Sequence, residues 1–207
     1  MKWRTLFCGL VGGATLTLAT TQVLSQQAEG QEMPEEARAM VEMWTKLATP
    51  GPEHARLKEL AGDWKQRQEW MMEPGGPPTT SESEGESEMI LGGRFLLQRA
   101  KGAPMPMFGD QPFEGIGLMG FDNYSKKYMS VWADNYGTLM MYMEGQGDAS
   151  GKEITFDGDF NDPMTKSKKK MRWVYRTVSK DKYEFEMFEP GPDGKMWRSF
   201  HMVCDRD

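Results

Sequence analysis

From Asp63 to the C-terminus, side chains alternate in steps of two and no stretch of helical period interrupts them. A two-residue repeat belongs to an extended strand, whose successive side chains face opposite sides of a sheet. The alternation predicts strands over 63–72, 79–90, 94–101, 113–121, 127–134, 138–146, 152–160, 170–178, 182–189 and 195–204. Turn-forming residues fall between them: Pro74-Gly75-Gly76-Pro77, Gly92-Gly93, Asp122-Asn123, Asn135-Tyr136-Gly137, Ser150-Gly151, Asp162-Pro163 and Pro190-Gly191-Pro192-Asp193-Gly194. With no helix available for a parallel crossover, strands adjacent in sequence must pair antiparallel. A meander of this many strands closes into a barrel, because closure removes unpaired edges. The expected fold is all-β, an antiparallel up-and-down β-barrel of about ten strands.

The same alternation predicts what the barrel holds. Phe113–Tyr142 carries the densest aromatic and Met content. In the second strand Thr80, Glu82, Glu84, Glu86 and Glu88 share a face that must be solvated, leaving Ser81, Ser83, Gly85, Ser87 and Met89 to point inward. In the fifth, Tyr128, Ser130, Trp132 and Asp134 share a face; in the eighth, Met171, Trp173 and Tyr175 do. Small residues opposite large aromatics leave a lopsided cavity, and a barrel of this size can hold one small ligand. The 19 Met residues suit irregular apolar ligands, or stand in for Leu in the core.

The N-terminus reads as a signal peptide over residues 1–25. Lys2 and Arg4 form its basic region, and Leu6–Ala19 is an apolar run too short to span a bilayer. The expected destination is the periplasm or the exterior, with no integral membrane segment after the signal is removed. Residues 26–48 are expected to form a polar linker and a helix over Pro34–Ala48, with Pro34 at its first position and Met40, Met43, Trp44 and Leu47 at i, i+3, i+4, i+7. After Thr49-Pro50-Gly51-Pro52 a short helix, Glu53–Ala61, opens the barrel domain of residues 49–207 and is expected to cap one end of it.

Without residues 1–25 the chain has 23 basic and 31 acidic residues, net −8. That balance argues against nucleic acid, whose affinity comes from a basic face. Lys166–Lys170 reads as a solvated loop between the seventh and eighth strands. Cys204 is the one cysteine left, so no internal disulfide and no cysteine metal cluster is expected.

Four motifs occur in order: Pro50-Gly51-Pro52-Glu53-His54-x-x-Leu57-x-x-Leu60-x-Gly62-x-Trp64; Leu91-Gly92-Gly93-Arg94-Phe95-Leu96; Pro112-Phe113-Glu114-Gly115-x-Gly117-x-x-Gly120-Phe121-Asp122-Asn123; and Tyr128-x-x-x-Trp132-x-Asp134. Over roughly residues 38–207 the chain resembles the bacterial domain-of-unknown-function family 1579. That resemblance implies a calycin-like barrel, of the lipocalin and fatty-acid-binding class, and no established activity. The chain departs from the family at Phe121, where Tyr is usual, and in its ending His201-Met202-Val203-Cys204-Asp205-Arg206.

No nucleophile elbow, phosphate loop, H-E-x-x-H or G-x-G-x-x-G is present, and no cofactor or metal is assigned. Trp64, Phe121, Trp132 and Tyr142 are the expected cavity walls, or plain core. Asp134 is costly to bury alone, and Arg94 or His54 is its candidate partner, with Arg94 equally readable as a surface charge. His54 reads as a polar anchor, as a general base oriented by Asp134, or as a ring packed at a helix start. Related nitrobindin-like barrels bind haem through a His near the C-terminus. Here Met196, Phe200 and Met202 make the opposite face the more apolar one, so His201 is expected outward. The reading is an exported lipocalin-like protein binding a small, mostly apolar molecule. The alternatives are an isomerase or hydrolase using His54 and Asp134, or a partner-binding module docking through Met105-Pro106-Met107-Phe108 and the N-terminal helix. Homodimerisation through an exposed barrel face stays open.

Overall fold

The structure is a computed structural model that describes residues 33–105, 108–162 and 165–207. The signal-peptide expectation and residues 26–32 of the linker lie outside the described residues. Helix α1, Glu35–Ala48, has Glu35 and Glu36 in its first turn and Lys46 in its last, each sign opposed to the helix dipole at that end. Residues 46–207 form one compact unit.

In that unit helix α2, Pro52–Glu59, leads into ten strands: β1 Gly62–Trp70, β2 Thr79–Ile90, β3 Phe95–Gly102, β4 Phe113–Asp122, β5 Lys127–Asp134, β6 Met141–Gly147, β7 Glu153–Asp162, β8 Ser167–Ser179, β9 Lys182–Pro190 and β10 Met196–Arg206. Each pairs antiparallel with its sequence neighbour, and β1 pairs with β10 to close the barrel. The expected fold class is the observed one.

Two strand starts differ from expectation by three residues, the other boundaries by at most two, and the register shifts in two places, between Thr177 and Ser179 of β8 and in β10. β6 starts at Met141 rather than 138. β8 starts at Ser167, so Lys168–Lys170 of the basic run lie in strand and Lys166 in the turn before it. Its charges sit against acids of the neighbouring strand: Lys168 Nζ lies 3.2 Å from Asp159, and Lys169 bridges Asp162. In β10 the register shifts between Arg198 and Phe200, where the bulge makes Ser199 the extra residue.

The barrel wall sorts its residues cleanly. Outward charges pair across strands, as in Arg172 with Asp157 (2.8 and 3.2 Å) and Arg176 with Glu153 (3.0 Å). Exposed pairs of this kind contribute at most about 1 kcal/mol each, so they fix register more than stability. Inward, the end nearest α2 is filled by Leu57, Leu60, Trp64, Leu96, Met119, Tyr128, Phe156, Tyr183 and Cys204, each no more than 2% exposed.

α2 is the stopper at that end. Gly51 precedes it, and the Gly51 N–H donates to His54 Nδ1 (3.0 Å), the side-chain half of a capping box. Leu57 and Leu60 point into the barrel while backbone carbonyls of the segment are held by barrel side chains. Tyr128 Oη donates to Glu53 O (3.2 Å) and Trp64 Nε1 to Leu60 O (3.0 Å). Arg206, stacked over Trp64 at 4.2 Å, donates to Ala61 O (2.9 Å) and Lys180 O (2.9 Å), tying helix exit, first strand and the β8–β9 turn together. Gly62 is needed there: φ is +135° and a Cβ would lie 2.0 Å from the Arg206 guanidinium.

Candidate functional site

Exposure of the inward side chains changes along the barrel axis. On β1, Trp64 and Gln66 are buried and Gln68 and Trp70 are half-buried. β5 runs from buried Tyr128 and Ser130 to half-buried Trp132 and Asp134, and β9 from buried Tyr183 and Phe185 to half-buried Met187 and Glu189. Solvent therefore reaches inward-facing side chains at the end remote from α2. That half of the interior is the candidate site.

Its two walls differ in chemistry. On β1 and β2, Ser81 Oγ donates to Gln68 Oε1 (3.0 Å), Gln68 Nε2 to Ser83 Oγ (2.6 Å), and Ser83 Oγ to Gln66 Oε1 (2.6 Å). This zipper of short polar groups satisfies itself. Adjoining it, from β1 through β10 and β9 to β8, is a continuous run of rings: Trp70 on Phe200 (4.1 Å between centroids), Phe200 on Phe185 (5.8 Å) and Phe185 on Trp173 (5.8 Å). Trp173 is 3% exposed, and its indole N–H has no acceptor among the described residues; the buried N–H of Trp70 has none there either. A buried donor left unpaired costs about 1–3 kcal/mol, so both point to an acceptor from outside the chain.

The mouth adds charge. Trp132 lies flat over β4 because Gly115 and Gly117 leave room: a Cβ at Gly115 would stand 2.3 Å from its ring. Its Nε1 donates to Asp134 Oδ2 (3.0 Å), whose other oxygen accepts the Tyr136 N–H (3.1 Å). Asp162, Lys169 and Glu189 also face inward at this end, Lys169 bridging Asp162. Burial raises the Glu189 carboxyl above its ordinary value; Lys169 opposes the shift and Asp162 adds to it.

The sequence-derived site residues divide into three groups. Trp132 and Asp134 stand together at the mouth. Trp64, Phe121, His54 and Arg94 stand at the stoppered end. There His54 caps α2, packs edge-on against Phe121 (5.9 Å) and is 5% exposed. Arg94 donates to Leu91 O in its own turn (3.1 Å). Tyr142 requires correction: it faces outward, 49% exposed, with its hydroxyl on Glu144 (3.2 Å). Because β6 points Met141 and Met143 inward, Tyr142 falls on the other face, in an outer apolar row with Leu97, Leu118 and Val131. The pairing of His54 or Arg94 with Asp134 is also not assembled. Tyr128 touches the His54 helix, and Asp134 lies six residues further along β5, roughly 20 Å away at about 3.3 Å per residue.

His201 faces outward between Glu69 and Glu184, 3.7 Å from each. It lines a groove of about 420 Å³ on the barrel's outer surface with Arg67, Glu69, Thr80, Glu82 and Val203. Among the described residues no group of three or more His, Cys, Asp or Glu is arranged to hold a metal, and no helix is long and apolar enough to cross a membrane. Of the Met-rich loop, Pro106 and Met107 lie outside the described residues, and Phe108 stacks on Tyr136 (4.3 Å). Gln66, Gln68, Trp70, Lys169 and Glu189 are the site residues that sequence reading missed. Gln66, Gln68 and Trp70 alternate with Trp64 on one face, and that spacing was the available signal.

The family described as "Protein of unknown function (DUF1579)" matches residues 49–206. The chain belongs to this family. DUF1579 membership thus covers α2 and every strand. The DUF1579 barrel is similar to the crystal structure of Rv2717c from M. tuberculosis, at 16% identity and a TM-score of 0.56, over 77% of this chain and 99% of that one. At that identity the likeness shows a shared fold alone. A redesigned β-barrel aligns at 13% identity and a TM-score of 0.39, over 73% of this chain and 95% of its own. No functionally curated protein matches the sequence.

Proposed function

We propose that this chain is an exported barrel that binds a small, mostly apolar molecule in the half of its interior remote from α2. What carries the reading is the exposure gradient along β1, β5 and β9: their inward side chains go from buried at the helix-stoppered end to half-buried at the other, where a run of rings adjoins a wall of polar residues. Ligand sites are concave, largely apolar and carry a few placed polar groups, which is the composition of this half. Export to the periplasm or beyond rests on the basic and apolar pattern of residues 1–25. A non-catalytic role fits best, because the acid and base proposed for chemistry stand at opposite ends of β5.

Native mass spectrometry of protein purified from its own host tests this directly. The expected result is a co-purifying neutral mass of a few hundred daltons, released on unfolding; protein that is bare under gentle conditions and takes up no apolar probe would overturn it. The same spectrum reads whether the chain pairs with a second copy.

A further inference from the structure

We infer that the ligand of this interior is neutral and carries a carbonyl-type hydrogen-bond acceptor, and that it is not a carboxylate. The inference rests on the cavity reading and narrows it to a chemical class.

Its first ground is the unpaired indole N–H of Trp173, on a side chain 3% exposed and inward on β8, with the buried Trp70 N–H as a second donor on the same run of rings. On the adjoining wall of β1 and β2, Gln66, Gln68, Ser81 and Ser83 already hydrogen-bond one another. A ligand acceptor is therefore called for at the ring wall rather than at the glutamine wall. An indole N–H donates only, so the group opposite it must be an acceptor such as a ketone, ester, aldehyde or quinone oxygen.

The second ground is charge. Among the described inward-facing strand residues of the open half Lys169 is the one cation, and it bridges Asp162 at the mouth; Arg206, the inward cation of β10, is held over Trp64 at the stoppered end. Glu189 and Asp134 face the same mouth. An anionic lipid entering here would pass three carboxyl groups and find no guanidinium to meet its own, whereas buried charges need a paired partner. A neutral acceptor has no such requirement.

The probe is N-phenyl-1-naphthylamine, whose fluorescence rises in apolar sites, followed by displacement with 2-undecanone or with undecanoate at pH 8. Expected is that the dye binds and the ketone displaces it at least tenfold more effectively than the acid. Trp173→Phe keeps a ring but removes the donor, and should weaken the ketone about tenfold more than it weakens the dye, the size of one hydrogen bond. Trp70→Phe, read the same way, serves if Trp173→Phe fails to fold. Undecanoate competing as well as the ketone, or both variants binding the ketone as the parent does, would overturn the inference and leave the cavity standing. A protein that binds neither dye nor ketone overturns the cavity reading, and this inference with it.

Discussion

His54 shows how one side chain can report on the whole stopper. Burial lowers its pKa from the ordinary value of 6.5; Glu53 and the Phe121 backbone oppose that shift, and Arg94 adds to it. Nδ1 accepts the Gly51 N–H, so the neutral ring is the one that caps α2. A group with a depressed folded pKa binds more protons unfolded than folded, so its contribution is intact above 6.5 and is lost as pH falls through the folded value. Urea midpoints should therefore drop between pH 7.5 and 5 by more in the parent than in His54→Gln, and equal drops would refute the assignment. Cys204 offers a second check. It is fully buried, and burial pushes its thiol up to about 12. Iodoacetamide at pH 8.5 should leave Cys204 unlabelled in folded protein and label it in denaturant, as read by peptide mass spectrometry.

At the scale of elements, two packings should dominate mutational cost. Leu57 fills the stoppered end at 0% exposure, so Leu57→Ala should destabilise by about 2–5 kcal/mol in urea unfolding. Gly115→Ala pushes a methyl into the Trp132 ring and should cost about 1–3 kcal/mol, a penalty that disappears in the Gly115→Ala, Trp132→Ala double variant. Strand identity was readable because one face is buried and one solvated, which forces period two, and the Glu row of β2 is the clearest case. Three features were not readable. The start of β8 looked like a loop because Lys168 and Lys169 find their acids only on the paired strand. The bulge at Ser199 moves Trp197 onto the inward face with Glu189, and nothing local announces it. The His54–Asp134 pair failed because residue types suggest chemistry, whereas strand length decides which end of a barrel a residue reaches.

For the molecule as a whole, closure and the stopper together set where stability lies. A barrel without edges cannot fray strand by strand, so its weak point is an end rather than a strand. The stoppered end combines α2, the Arg206 ties and a core of buried rings; the mouth combines half-exposed inward side chains and charges. Amide exchange should accordingly sort by position along the axis. Residues near Trp64, Tyr128, Phe156 and Tyr183 should exchange only through global unfolding, and those near Trp70, Asp134, Asp162 and Glu189 through cheaper local opening. A bound apolar molecule should slow the second group first, since it adds contacts there and none at the floor. Protection that instead varies strand by strand, or a ligand that slows the Trp64 level alone, would place both the weak end and the binding half elsewhere.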